Sequence, residues 1–369
     1  MKRRLTAALF SVVCGWGSVT YTVTAIQPSN LNGALFLGGL SGNGQFAVTN
    51  TAVAGYLYDG GGQTSAFTIA GIAPMVQGVN NSGTVAGYYE SGGPYGSRAF
   101  SRSAAGTVNF LPNPINAVAP SFAVGIDNAG NIAGTVTTTA DPYSSNRAIV
   151  WLADGSSIDV TSQIPGALWT TTEAMANNGY MIGSHQGGSF LYNFLTGQTV
   201  NLNQSQWTER GGSDNGNVAG FTYLNGGPPV ATLYSAGSSN TIIGSTDPGH
   251  ASYAYGVNTS GTVVGQAAAP GNPWRAFVYS GGVMSDLNSL LTTNLDGLLG
   301  GNGWYLSSAE AISNTGVVLA KAEGGAGARQ SFAMLLTPVE GETPEPGTCV
   351  LLGAGLGWLL LRSRGQRPR

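Results

Sequence analysis

One ten-residue phrase recurs along the chain, and it limits what the chain can fold into. Gly78-Val79-Asn80-Asn81-Ser82-Gly83-Thr84-Val85-Ala86-Gly87 returns as Gly125-Ile126-Asp127-Asn128-Ala129-Gly130-Asn131-Ile132-Ala133-Gly134 and as Gly256-Val257-Asn258-Thr259-Ser260-Gly261-Thr262-Val263-Val264-Gly265. Looser copies surround Asn178-Gly179 and Asn215-Gly216, and worn ones lie at Ser41-Gly42-Asn43-Gly44 and Ser313-Asn314-Thr315-Gly316. Asn and Asp bond their own backbone, and Gly reaches positive φ without steric cost, so each phrase reads as a β-hairpin turn between apolar strands. Worn copies at the two ends suit an array that is capped or closed.

The turn glycines stand at 44, 83, 130, 179, 216, 261 and 316, with gaps of 39, 47, 49, 37, 45 and 55. A mean near 45 matches four-stranded propeller blades. Within a unit, Arg98–Ser101 and Thr107–Leu111, turning at Ala105-Gly106, supply two further strands. The expectation is an all-β, seven-bladed β-propeller over residues 21–338, with an elongated β-solenoid as the alternative. Tyr21–Ile26 and Ser331–Leu336 are the strands expected to pair within one blade and seal the ring.

Composition supports this reading. The chain has 58 glycines in 369 residues, and 8% of residues are charged. Glycine weakens helices and the charged helix formers are scarce, which excludes a helix-rich enzyme. The 42% hydrophobic content excludes ordinary disorder.

Charge divides the chain into parts. Lys2, Arg3 and Arg4 precede an apolar run from Leu5 to about Gly17, the pattern of a secretory signal expected over residues 1–20. Residues 339–346 form a linker ending in Pro344-Glu345-Pro346. Residues 347–361 carry no charge, and Arg362, Arg364, Arg367 and Arg369 follow. As a helix the apolar run spans about 22 Å, short of the roughly 30 Å hydrocarbon core, so it makes a marginal transmembrane helix. Residues 21–361 hold seven basic and seventeen acidic residues, which gives no footprint for nucleic acid. Cys14 and Cys349 lie outside the repeat body of residues 21–338, so disulfides, thiol-ligated metals and cysteine nucleophiles are excluded from that body.

The tail, Pro344-Glu345-Pro346 followed by an apolar helix and a basic end over 347–369, resembles the PEP-CTERM sorting signal of Gram-negative bacteria. That resemblance implies processing by an exosortase, transient anchoring in the inner membrane through residues 347–361, and an association with exopolysaccharide and biofilm. The repeat resembles the HAF family of extracellular repeat proteins over most of residues 40–335. Arg98-Ala99-Phe100, Arg147-Ala148-Ile149 and Arg275-Ala276-Phe277 stand where that family has His-Ala-Phe, and Arg329 with Phe332 is a looser case. Asp286-Leu287-Asn288 and Trp304-Tyr305-Leu306 ahead of Ala311-Ile312-Ser313-Asn314 match its phrasing as well. This resemblance implies a surface location and no defined activity.

Chemistry is sparse. Periodic placement of Arg98, Arg147, Arg275 and Arg329 suggests a structural contact such as inter-blade hydrogen bonding. His185 and His250 occupy non-equivalent places and read as exposed loop residues, with no ligand spacing for a metal. Asp127 and Asp214 sit in hairpin turns, where Asp is favoured for backbone reasons. Asp141, Asp154, Asp159, Glu173 and Glu209 show none of the pairing a glycosidase needs. Trp151 belongs to a strand, and Trp169, Trp207 and Trp304 read as packing anchors. Trp274, between Pro273 and Arg275, is the candidate ligand contact, because aromatic faces stack on sugar rings. The sequence therefore points to a non-enzymatic surface or matrix protein that binds extracellular polysaccharide or matrix proteins without a cofactor. Loops at 88–97, 135–146 and 221–229 would carry the contacts. The alternatives are a purely structural matrix component and a secreted, glycan-acting hydrolase with convergent acids in a propeller pocket.

Overall fold

The computed structural model describes residues 19–26, 35–90, 92, 96–115, 119–138, 145–203, 206–235, 240–245, 249–268, 274–324 and 330–339; for 203 and 206–210 it describes the backbone alone. The signal, the Pro-Glu-Pro motif with its helix and basic tail, Asp141, Arg329 and parts of the contact loops lie outside the described residues.

The described chain forms seven four-stranded antiparallel sheets. Strand β1 (Thr20–Ala25) stands apart. Blade 1 is β2 (Phe36–Leu40), β3 (Ala47–Asn50), β4 (Gly55–Tyr58) and β5 (Thr64–Phe67). Blade 2 is β6 (Met75–Val79), β7 (Val85–Glu90), β8 (Ser97–Arg102) and β9 (Val108–Phe110). Blade 3 is β10 (Ser121–Ile126), β11 (Ile132–Thr137), β12 (Asn146–Trp151) and β13 (Ser157–Asp159). Blade 4 is β14 (Thr170–Met175), β15 (Tyr180–His185), β16 (Gly188–Asn193) and β17 (Gln198–Asn203). Blade 5 is β18 (Gln206–Gly212), β19 (Val218–Tyr223), β20 (Pro229–Tyr234) and β21 (Thr241–Gly244). Blade 6 is β22 (Ser252–Val257), β23 (Val263–Ala268), β24 (Trp274–Ser280) and β25 (Val283–Asp286). Blade 7 combines β26 (Tyr305–Ile312), β27 (Val318–Gly324) and β28 (Gln330–Val339) with β1 from the other end of the chain. The architecture is the expected propeller and not a solenoid.

Closure follows the expected pairing. Six residues of β1 face β28 in register, from Thr20 opposite Val339 to Ala25 opposite Met334. The paired strands reach one residue beyond each expected boundary of the body, so Thr20 and Val339 belong to the fold. A 3₁₀ turn at Leu287–Leu290 and a five-residue helix, α1 (Leu295–Leu299), account for the longest gap between turn glycines. This excursion covers the closing edge. Thr292 donates its amide to Tyr21 O, and Leu287, Leu295 and Trp304 pack in one cluster with Tyr21 and Val23. An exposed strand edge is thereby protected.

The core is distributed rather than central. Seven hydrophobic clusters occur among the described residues, one at each interface between successive blades. For example, Val48, Leu57 and Phe67 of blade 1 meet Val76, Val85 and Phe100 of blade 2. Ile26, Leu35 and Ala47 meet Leu319 and Leu335 where blade 1 closes on blade 7. Blades packed on both sides bury both faces of their middle strands, and all six residues of β11 are buried. Outer strands such as β9 face solvent with Asn109 and Phe110. Few sites for charge remain, which accounts for the low charge content.

All seven turn glycines have positive φ, as the repeated phrase requires; Gly83, at +74°, is typical. Innermost strands approach one another closely near the axis. A Cβ on Gly78 would lie 2.9 Å from Gly125 Cα in the next blade, so only glycine fits there.

Candidate functional site

The hairpin turns do more than reverse the chain. Their first residue serves its own turn: Asn80 Oδ1 accepts from the amides of Ser82 and Thr84, and Asp127 Oδ1 from that of Asn131. Their second residue serves the neighbouring blade. The amides of Asn43, Asn81, Asn128 and Asn177 donate in turn to Asn81 Oδ1, Asn128 Oδ1, Asn177 Oδ1 and Asp214 Oδ1, at 2.7–3.0 Å. Asn215 Nδ2 continues to Thr259 O, the Thr259 amide to Asn314 Oδ1, and the Asn314 amide to Gly42 O. The hydrogen bonds form a closed ring through all seven blades. Asp127 and Asp214 thus differ by one turn position, and Asp214 is a ring member rather than a turn cap.

This ring closes one end of the axial channel. A side chain on Gly42 would begin 3.6 Å from Asn177 Nδ2 and Asn81 Oδ1 and 3.9 Å from Asn314 Nδ2. Asn177 comes from blade 4, across the axis from blade 1. Asp214 Oδ2 also accepts from Asn314 Nδ2 at 2.8 Å, spanning two blades.

Above the ring lies a cavity of about 150 Å³ lined by Gln77, Val124, Glu173 and Glu310. These residues share one register position, three before the first turn residue; Gly38, Arg210 and Tyr255 hold it in the other blades. In blades 1 to 4 and in blade 6, β-bulges fall on this position, between Val76 and Gly78 and between Thr172 and Ala174 for instance. In blade 7 one falls between Ala309 and Ala311. An extra residue at a bulge re-aims a side chain, here toward the axis. Glu173 Oε1 accepts from Thr171 Oγ1 at 3.0 Å and Ser184 Oγ at 3.2 Å, and Glu310 Oε1 from Ser308 Oγ at 2.8 Å. Both are half-buried. Glu173, read from sequence as one of several scattered acids, thus lines one channel with Glu310. Glu310 was not singled out from sequence, although aligning the seven phrases exposes the column.

The opposite mouth opens into a second cavity of about 360 Å³, lined by Phe36, Tyr255, Gln266, Trp274, Ser307, Ser308, Glu310, Lys321 and Glu323. Glu310 lines both cavities. Along three innermost strands the mouth lining adjoins the channel lining: Leu37 precedes Gly38, Tyr255 precedes Gly256, and Glu310 belongs to both. Mouth and channel are one funnel. Trp274, the residue expected to meet ligand, stands half-buried in its wall. Its ring lies 5.5 Å from Tyr253, which contacts Phe221 at 4.9 Å and stacks with Tyr255 at 6.3 Å; Phe221 contacts the exposed Tyr223 at 6.0 Å. Lys321 Nζ pairs with Glu323 Oε1 at 2.6 Å on the same wall.

The other sequence candidates serve the scaffold. Arg98 lies over the Phe110 ring at 4.7 Å, Arg275 over Tyr305 at 4.3 Å, and Arg147 pairs with Asp159 at 3.1 Å. These contacts are cation–π and ionic rather than the expected inter-blade hydrogen bonds, and only that of Arg275 crosses blades. The inter-blade bonds of this motif come from the backbone beside arginine: the amides of Ala99 and Ala148 donate to Ser121 Oγ and Thr170 Oγ1. Trp151 and Trp304 are buried anchors, with Nε1 donating to Pro112 O and Gly300 O. Asp154 sits at an exposed turn tip, where hydrogen bonds from Ser156 hold its carboxyl below the ordinary carboxylate range. His250 is exposed, but His185 ends β15, half-buried, with Nδ1 accepting from the Gly187 amide; it is not a loop residue. No group of metal-ligating side chains occurs among the described residues. Nor does any described helix have the length and apolarity to cross a membrane.

The fold and its funnel define a seven-bladed propeller with an axial pocket closed at one end. Among solved structures the chain is similar to a catalytically inactive virginiamycin B lyase from Staphylococcus aureus with quinupristin, at 10% identity and TM-score 0.51, covering 86% of this chain and 100% of that one. It is similar to YCF48 from Cyanidioschyzon merolae, at 8% identity and TM-score 0.51, over 85% and 98% of the two chains. U3-55K matches at 9% identity and TM-score 0.52, over 86% and 98%. At such identities the likeness shows the propeller fold alone. No protein-family profile and no curated protein matches the chain.

Proposed function

We propose that this chain is an exported cell-surface or matrix protein that binds extracellular polysaccharide through the mouth of its funnel. The observation that carries the reading is the wall around Trp274. Aromatic side chains of Trp274, Tyr255 and Phe36 share a cavity with the hydroxyls of Ser307 and Ser308, the amide of Gln266 and the carboxylate of Glu310. Apolar ring faces beside convergent hydrogen-bonding groups suit a sugar, which presents both kinds of surface. Export and sorting rest on Lys2-Arg3-Arg4 with its apolar run and on Pro344-Glu345-Pro346 with Arg362, Arg364, Arg367 and Arg369. In this reading an exosortase processes the tail after transient membrane anchoring through residues 347–361. A glycan and pull-down screen with the propeller tests the binding, and cell fractionation tests the sorting. Cytoplasmic protein with an intact tail overturns the latter.

Glu173 and Glu310 in one channel favour a second reading, a glycan-acting hydrolase. Release of reducing ends from the producing bacterium's exopolysaccharide, lost on Glu310→Gln, is its signature; binding without release excludes it.

A further inference from the structure

We infer that the funnel recognises the end of a glycan chain rather than an internal stretch; this rests on the polysaccharide-binding reading above. The argument is geometric. Ligand has one way in, because the ring of turns meets across the axis: Asn177 of blade 4 lies 3.6 Å from where a Gly42 side chain would begin, and Asp214 of blade 5 bonds Asn314 of blade 7. A polymer therefore cannot thread the propeller. The mouth cavity, at about 360 Å³, lies at the low end of small-molecule sites and holds a short segment only. Its deepest residue, Glu310, is also the first of the channel, and Val124 lines the channel at the same register position in blade 3. A terminal sugar stacked on Trp274 directs its free end down the axis to Glu310, whose carboxylate accepts from terminal hydroxyls. The rest of the chain leaves past half-buried Tyr253 toward exposed Tyr223, two rings that buried Phe221 holds by edge contacts. An internal sugar carries a neighbour at both ends and so has no free end to direct at the channel floor.

The test uses calorimetry with a length series of oligosaccharides cut from the producing bacterium's exopolysaccharide, from disaccharide upward. One protein bound per chain at every length supports end recognition. Stoichiometry that rises with chain length, with binding itself intact, overturns end recognition and leaves the polysaccharide reading standing. Absence of binding at every length overturns both. A variant probes the channel. Val124→Phe narrows the channel at the level of Glu310 from a half-buried side chain on its lining, and weakens binding of the shortest binding oligosaccharide about tenfold. Unchanged affinity in a folded Val124→Phe protein also overturns the inference.

Discussion

Asp214 of blade 5 accepts a hydrogen bond at 2.8 Å from the side-chain amide of Asn314 in blade 7, two blades along the ring. Its other oxygen accepts from both the backbone and side-chain amides of Asn177 in blade 4. One carboxylate thus ties three blades together at the closed end of the channel. Hydrogen bonds to a charged group contribute about 1.5–3 kcal/mol each, less where solvent reaches them. Asp214→Ala is expected to lower unfolding free energy by about 2–3 kcal/mol in denaturant titration. Asn314→Ala added to it costs less than it does alone, because the shared bond is already gone.

Closure of the ring by β1 is testable without touching the core. Thr22 and Thr337 are exposed, directly opposite each other, and linked by Thr22 Oγ1 donating to Thr337 O. The propeller body contains no cysteine, so Thr22→Cys with Thr337→Cys offers the only thiol pair there. Oxidation should join the two strands and raise stability by up to about 5 kcal/mol, since the cross-link encloses nearly the whole body. The readouts are a mobility shift on non-reducing gels and a higher midpoint of unfolding that reductant reverses.

Tyr21 gives the same strand a pH signature. Burial raises its phenol pKa above the ordinary 10.0. The unfolded chain therefore releases this proton at a lower pH than the folded one. Its stabilising contribution is complete below pH 10 and is lost as pH rises through the folded pKa. Tyr21→Phe should flatten the alkaline fall in stability, measured by unfolding at a series of pH values above neutrality. Tyr192, raised by the same cause in blade 4, should account for a separate part of that fall.

Arg275 tests whether the repeated arginines serve the scaffold. Its guanidinium lies over Tyr305 of the next blade at 4.3 Å, an interaction worth about 0.5–1 kcal/mol where partly exposed. Arg275→Met keeps much of the packing and removes the charge. It should lower stability by about that amount while leaving glycan affinity unchanged. A loss of affinity with full stability would place this arginine in the binding surface instead.

What could be read from sequence was whatever a unit does for itself. Turn glycines at positive φ, four strands per unit and the pairing of the two chain ends follow from local chemistry and spacing. What one blade does for another was hidden. The amide partner of Asn128 is Asn81, 47 residues away, so the second Asn of the phrase looked like a further turn former. Glu173 looked like one of several scattered acids and Glu310 was passed over, because neither is paired along the chain; the bulge common to these strands brings both to the channel lining. Arg98, Arg147 and Arg275 share one column, yet their partners are Phe110, Asp159 and Tyr305, because the strands opposite do not repeat.

Trp274 separates binding from scaffold. It begins β24 at the funnel mouth, half-buried, and its ring contact is with Tyr253, which keeps its own contacts with Phe221 and Tyr255 when tryptophan is removed. Truncating it therefore costs less than the roughly 3–5 kcal/mol of a core aromatic, the single ring contact contributing about 1 kcal/mol beyond its half-buried area. Loss of the stacking face should weaken exopolysaccharide binding far more, by tenfold or more, as aromatic anchors of binding sites do. Trp274→Phe keeps a smaller stacking face and should recover part of the affinity, whereas Trp274→Leu should not. Affinity electrophoresis in exopolysaccharide gels, run beside thermal unfolding of the same variants, reads both quantities. Equal migration of wild-type protein and Trp274→Ala would remove this tryptophan from the site.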